Sequence, residues 1–258
     1  MTTMVLAAGE FVAPGVKDFF LPPIFGEVTK PMVLVVLSIF IIAAFFLAAS
    51  RNLKLVPGKF QFLAESLYDV GRNGIAREQI GSKDFKPFIP LILTVFTFIL
   101  VNNLFGIIPF VQFPTMSHIG FPLAVSLLVI YPVYHFVGFK RHGFLGYLKH
   151  QTMPPSAPWF VLPLLIPIEF LQKFILNPLT LALRVFAAMF AGHLLLMVFT
   201  LAGEALLFSG GVTVVVAPIS FLFAIALTFL EALIMVLQAY IFALLSAGYI
   251  GAALAEEH

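Results

Sequence analysis

The chain contains no cysteine, which excludes disulfides and thiolate metal sites and leaves the redox compartment undetermined. Charge is scarce as well. Asp, Glu, Lys and Arg make up 10% of the 258 residues, against about 25% in a soluble domain. A net charge of +2 is too small to indicate a nucleic-acid partner. No aspartate lies beyond Asp84, and the patterns GxxxxGK[ST], HExxH, GxSxG and CxxC are all missing. Nothing on this chain is therefore expected to bind and hydrolyse a nucleotide unaided, and no cofactor or metal is expected. The opening MTTMVLAAGEFVAPG has neither a basic n-region nor a long apolar core, so a cleaved signal peptide is not expected.

Apolar sequence is abundant. Hydrophobic residues make up 61% of the chain, in several runs longer than the ~18 residues that read as a membrane-spanning helix. The 31 phenylalanines suit lipid-facing and helix-packing surface better than a cofactor box. The chain reads as a polytopic membrane protein.

The first span is PMVLVVLSIFIIAAFFLAAS, residues 31–50, between Lys30 and Arg51. In the next segment Phe60, Leu63, Leu67, Val70 and Gly74 recur at helical spacing, with Lys59, Glu65, Asp69 and Arg72 mostly off that stripe. The spacing predicts an amphipathic helix over 57–80. A helix lying on the membrane surface and a helix packed against other protein both satisfy it. The second and third spans are expected over 88–109 and 119–139. The loop FVQFPTMSH between them carries no lysine or arginine. Residues 51–86 carry seven, and KRHGFLGYLKH, residues 140–150, carries three. The positive-inside rule then puts the basic loops 51–86 and 140–150 in the cytoplasm, with FVQFPTMSH and the N-terminus outside.

The C-terminal part holds two apolar runs joined by a short SGG turn, expected as helices over 160–208 and 212–254. Between Ile219 and Ala247 there is neither glycine nor proline. At ~1.5 Å per residue such a helix outruns a ~30 Å hydrocarbon core. The expectation is a hairpin of two long tilted helices, with Pro178 and Gly192 leaving room for a kink. Two ordinary spans with ragged ends are the plainer alternative. The fold class is thus an all-α polytopic membrane protein forming one membrane domain over residues 1–258: three roughly upright spans, a surface amphipathic helix and the tilted hairpin.

Ionisable residues in that hairpin are few: Glu169, Lys173, Arg184, His193, Glu204 and Glu231, with Gln238 as an added polar group. Such groups cost ~2.5–3.5 kcal/mol or more at membrane depth, so each normally faces a cavity or a partner. Arginine is the demanding case, because a guanidinium cannot shed its proton to become neutral. Glu231 and Gln238, seven apart, share a helix face. His193, nine residues after Arg184, falls on the opposite side of its helix. One helix can then offer a charged face to a partner and a titratable face to a proton path. The plainer reading pairs Arg184 with Glu231 in a buried salt bridge. Glu169 and Lys173, four apart, can equally form an intrahelical ion pair, and Glu204 reads as a solvated loop carboxylate. Asn102 and Asn103 can line water or bond to a neighbouring helix. His118 is expected at the outer surface, and His142 and His150 in the basic loop.

At NPLTLALRVFAAMFAGH and LEALIMVLQAYIFALLSAGYIGAAL the sequence resembles subunit a of the F-type ATP synthase. The likeness takes in VNNLFGIIP, PIEF and the closing EEH, and extends over nearly the whole chain. It implies a stationary, non-catalytic subunit of the Fo proton path in a bacterial inner membrane. Two offset half-channels would deliver protons to and from the carboxylates of a rotating c-ring, with peripheral-stalk b subunits, other Fo subunits and the lipid bilayer as partners. Arg184 would face the ring carboxylate and keep the half-channels from short-circuiting, with Gln238 opposite. His193 and Glu231 would form an external proton-path pair, and Asn103 would line the external half-channel. Glu169 would stand near the cytoplasmic one, its spacing to the arginine one residue longer than usual. Ala188 stands where many members carry asparagine, and Asn177 where a basic residue is common.

Two other classes compete. A secondary transporter would use Arg184 to bind an anionic substrate, but such proteins commonly show internal repeats, and no second copy of the arginine segment is present. An intramembrane hydrolase would need paired aspartates or a Ser/His constellation at depth.

Overall fold

The computed structural model describes residues 13–51, 53–153 and 159–255. Most of the N-terminal stretch read for a signal peptide, and the closing EEH, lie outside these residues.

The described chain is helical, and five helices are long and apolar enough to cross a membrane: α1, Lys30–Arg51; α3, Lys86–Leu104; α4, Gly120–His142; α6, Leu162–Phe208; and α7, Ala217–Leu254. Between them lie α2, Lys59–Asp69, and α5, Phe144–Thr152. The chain is a polytopic membrane protein. Its outward surface is apolar to match, with Phe40, Leu128, Leu164, Leu222 and Phe229 all exposed, as expected of side chains that meet lipid or protein partners rather than water.

The hairpin is built of continuous helices. At ~1.5 Å per residue, the 47 residues of α6 extend about 70 Å and the 38 of α7 about 57 Å. Gly210 and Gly211 at the turn adopt φ of 74° and 70°, a left-handed conformation open to glycine. A 3-10 turn, Gly211–Val215, then leads into α7.

Two stretches of wider π-type helix, Val125–Ile130 and Leu171–Leu176, come just before Pro132 and Pro178. A proline offers no N–H to the carbonyl four residues back, and its ring needs room there, so the preceding turn opens. Ser126 from the first stretch donates to the Pro178 carbonyl at 2.7 Å, tying α4 to α6. At Gly192, the other expected kink site, α6 continues as regular helix.

The core lies where α7 crosses α3, α4 and α6. Ala239, Ala243 and Ala247 form a fully buried small-residue stripe on α7, and Ile92 and Ile99 of α3 and Leu181 and Met189 of α6 belong to the same cluster. Helices in lipid pack by close approach, which small residues permit. Gly251 extends the stripe: a Cβ there would overlap the Gln79 carbonyl.

The amphipathic segment divides into two halves. Phe60 and Leu63 are exposed, with the Phe60 ring 5.0 Å from Phe45 of α1. Past Asp69 the helix widens over Val70–Arg77 and ends with Glu78–Ile80, and there Ile75 and Ala76 are fully buried. The first half keeps an open apolar face; the second packs against protein. The helix of the second span stops at Leu104, short of the expected Pro109, and the chain turns back through residues 105–113.

Tyr147 anchors α5 to α4. Tyr147 is fully buried beside Gly138, and its hydroxyl shares a 2.9 Å hydrogen bond with His135 Nδ1. Burial pushes the phenol well above its ordinary range, so it stays protonated. A Cβ at Gly138 would overlap the Tyr147 ring. Gly138→Ala is therefore expected to cost ~1–3 kcal/mol by overpacking, read as a lower melting temperature of the detergent-solubilised protein. An unchanged melting temperature would show that the notch is dispensable.

Candidate functional site

α6 carries Arg184 on a surface stripe with Thr180, Ala187, Ala191 and Leu195, all exposed. Positions 180, 184, 187, 191 and 195 follow the helical period, so the guanidinium sits on one continuous outward face. The alanines beside it leave room for a close neighbour. Among the described residues Arg184 makes no ion pair and no hydrogen bond. The salt bridge with Glu231 is therefore not formed.

Glu231 instead faces the other side of α6. Its Oε1 lies 3.6 Å from His193 Nδ1, and the side chains are only 3% and 7% exposed. Gly192 lies against this pair, where an added Cβ would make ordinary van der Waals contact with Glu231 Cγ at 3.6 Å. Half a helical turn of phase thus separates the roles: Arg184 outward, His193 inward.

Asn103 of α3 closes the third side of this inner gap. Its Nδ2 donates to the Met235 carbonyl at 3.2 Å, one turn beyond Glu231. Asn102 works differently, bonding Ser38 of α1 at 2.9 Å, the Phe98 carbonyl at 2.8 Å and the Thr115 hydroxyl at 2.6 Å. It is a helix-linking residue with its hydrogen-bonding groups used. Asn103 Oδ1, His193 Nδ1, both Glu231 oxygens and Gln238 Oε1 are buried without a protein hydrogen-bond partner. Buried polar atoms normally take such partners, or water, so this gap between α3, α6 and α7 is a concentrated exception. Gln238 itself is half-buried, two turns along α7 from Glu231.

The structure brings His193 and Glu231 together, places Asn103 on the Met235 carbonyl one turn along α7, and sets Glu169 apart. Glu169 pairs with Lys173 at 3.2 Å within α6, and Lys173 Nζ donates to the Gln151 carbonyl at 2.7 Å. Tyr134 of α4 donates to the Lys173 carbonyl at 3.0 Å. Glu204 is exposed near the hairpin turn. His142 and His150 stack face to face, ring centroids 4.9 Å apart. Among the described residues no group of His, Cys, Asp and Glu is arranged to hold a metal ion.

Two features escaped the sequence reading. His118, expected at the outer surface, is half-buried, and its Nε2 is 3.0 Å from the Phe19 carbonyl. His135 is buried in α4 among Tyr131, Tyr134, Phe139 and Phe174. The rule that singles out ionisable groups at membrane depth applies to His135 as much as to the hairpin residues.

Comparison with known proteins gives the family. The family profile described as ATP synthase A chain matches residues 32–251. A protein named ATP synthase subunit a from Pseudarthrobacter chlorophenolicus is 45% identical over 263 residues, covering 97% of this chain and 96% of that one. Its namesake from Nocardioides sp. is 45% identical over 265 residues, covering 96% and 95%. That from Streptomyces lividans is 41% identical over 254 residues, covering 96% and 89%. With the profile spanning most of the sequence and these relatives aligned nearly end to end, the chain belongs to the ATP synthase A chain family.

Proposed function

We propose that the chain is the stationary membrane subunit of an F-type ATP synthase, forming two offset half-channels that carry protons to and from the carboxylates of a rotating c-ring. The observation that carries this reading is the lone guanidinium of Arg184, exposed on an apolar helix face and without an anion among the described residues. A cation that cannot discharge at membrane depth needs a compensating charge, and here it must come from a neighbouring protein.

The physics of the exchange follows. A ring carboxyl is neutral while it faces lipid and ionises only beside a fixed positive charge. Arg184 supplies that charge. It also repels a proton hopping straight across, so the inner and outer paths stay separate. His193, Glu231 and Asn103 line the outer path, where their unpartnered polar atoms suit a file of water. Glu169 stands near the inner path and Gln238 opposite the arginine. The lengths of α6 and α7 fit a strongly tilted hairpin lying along the ring. Peripheral-stalk b subunits and other Fo subunits complete the assembly, and the chain itself carries no nucleotide site.

Sidedness follows from charge and packing together. The basic segments 51–86 and 140–150 are cytoplasmic, and the N-terminus is outside, in a bacterial inner membrane. In support, Gln79, Arg141 and Gly251 gather at one end of the molecule, and Phe19, Gln112 and His118 at the other.

Cysteine cross-linking tests the assigned neighbour. In the intact complex, Ala187→Cys should form a disulfide with a cysteine placed one helical turn from the ring carboxylate. That bond should stop ATP-driven proton pumping until reduced. Failure to cross-link under oxidising conditions would remove the ring from the Arg184 face and overturn the reading.

A further inference from the structure

The segment before α1 folds over His193. A 3-10 turn, Val16–Phe19, places the Phe19 ring 6.0 Å from the imidazole and 4.4 Å from Phe190, and Phe19 is 3% exposed. His118 holds the Phe19 carbonyl in place. Beside this roof lies a cavity of about 130 Å³, lined by Asp18, Lys30, Gln112 and His193 with Phe19, Leu21, Phe113 and Met197. By the ~10–15 Å³ that one water needs on such a measure, it holds several.

Its lining mixes four polar side chains, Asp18, Lys30, Gln112 and His193, with four apolar ones. Asp18 Oδ2 accepts from the Gly15 N–H at 2.7 Å, and among the described residues this carboxylate makes no ion pair. Lys30 Nζ donates to the Val111 carbonyl at 2.6 Å and lies 6.0 Å from the Phe113 ring. Gln112 holds a φ of 39°, unusual for a residue with a side chain. Backbone strain of this sort persists where the surroundings over-determine it, and it gathers at functional sites. His193 Nδ1 is committed to the Glu231 side, which leaves Nε2 to meet the cavity.

We infer that this cavity is the outer mouth of the proton path, and that Asp18 takes protons from the outer solution and hands them through water to His193. The inference rests on the function proposed above. The carboxylate accepts a proton from water and releases it to the cavity file. The imidazole gains a proton at Nε2 and gives one up from Nδ1 towards Glu231, so one proton advances and the ring is left as the other tautomer. The charged and titratable groups facing the ring are Asp18 and Lys30 through the cavity and Glu231 across the helix gap. The segment just before α1 is then part of the conducting structure.

Four variants in the assembled complex, in membrane vesicles, test this. Because the chain has no cysteine, Gln112→Cys is its single thiol. A membrane-impermeant methanethiosulfonate added from the outer side should label it and lower proton flux about tenfold or more. Asp18→Asn keeps an oxygen for the Gly15 N–H and should slow flux several-fold, and Asp18→Glu should restore it. His193→Ala, in the same assay, reports on the underlying reading. If His193→Ala stops flux while labelled Gln112→Cys and Asp18→Asn conduct normally, the mouth lies elsewhere and the subunit's role stands. Full flux in His193→Ala would instead overturn the proton path on which the mouth depends.

Discussion

Arg184→Ala is expected to abolish ATP-driven proton pumping while the complex still assembles. The second half of that expectation comes from geometry. Arg184 is exposed and has no ion pair or hydrogen bond among the described residues, so its removal takes nothing from the packing of this chain. Surface changes of that kind usually stay within about 0.5 kcal/mol. The first half comes from the partner. Removing one member of a buried charge pair costs ~3–5 kcal/mol. At ~1.4 kcal/mol per factor of ten, that slows the exchange by roughly a hundred- to a few thousand-fold. Arg184→Lys keeps a charge but loses the fork geometry and the resistance to deprotonation, and should rescue little. The measurement is proton uptake driven by ATP in vesicles, alongside subunit content by immunoblot. Full coupled pumping by Arg184→Ala would refute the assigned role.

The second large effect concerns His193 and Glu231. The two side chains face one another at 3.6 Å inside the bundle, each buried. Proton transfer between positioned groups contributes ~10²–10⁴-fold where it limits a rate. Neutralising either residue alone should therefore cut flux heavily. His193→Glu combined with Glu231→His keeps one carboxyl and one imidazole in the same gap. This exchange should retain at least about ten times the flux of the worse single neutral substitution, since the relay needs both chemistries and either order serves it. An exchange as damaging as that single substitution would mean that the two residues do not share a path.

Membrane class was legible because it rests on long-range composition: apolar runs of spanning length and few charges. The ionisable residues of the hairpin were legible for the same reason, because a charge surrounded by Leu and Phe stands out in one dimension. The opposed directions of Arg184 and His193 came from the helical period alone. What stayed hidden depends on contacts between distant segments. Nothing local announces that Phe19 will roof a histidine in α6, or that His118 will hold it there. The widened turns before Pro132 and Pro178 could have been suspected from the prolines, but Pro167 sits inside a regular helical stretch of α6, so proline alone does not decide. The Arg184–Glu231 salt bridge was a fair expectation by charge. It failed because α7 presents Glu231 to the far side of α6.

α7 runs as regular α-helix from Ala217 to Leu254, and that continuity has an electrical meaning. Glu231 and Gln238 are seven residues apart on it, a separation of at most ~10 Å along the membrane normal, or about a third of a ~30 Å hydrocarbon layer. A full crossing is worth ~2.3 kcal/mol per charge at 100 mV, so in a uniform field a charge moved between these two levels would collect about 0.8 kcal/mol. A stiff rod thereby fixes the spacing of these two levels, which changes only if residues are inserted into the helix or deleted from it.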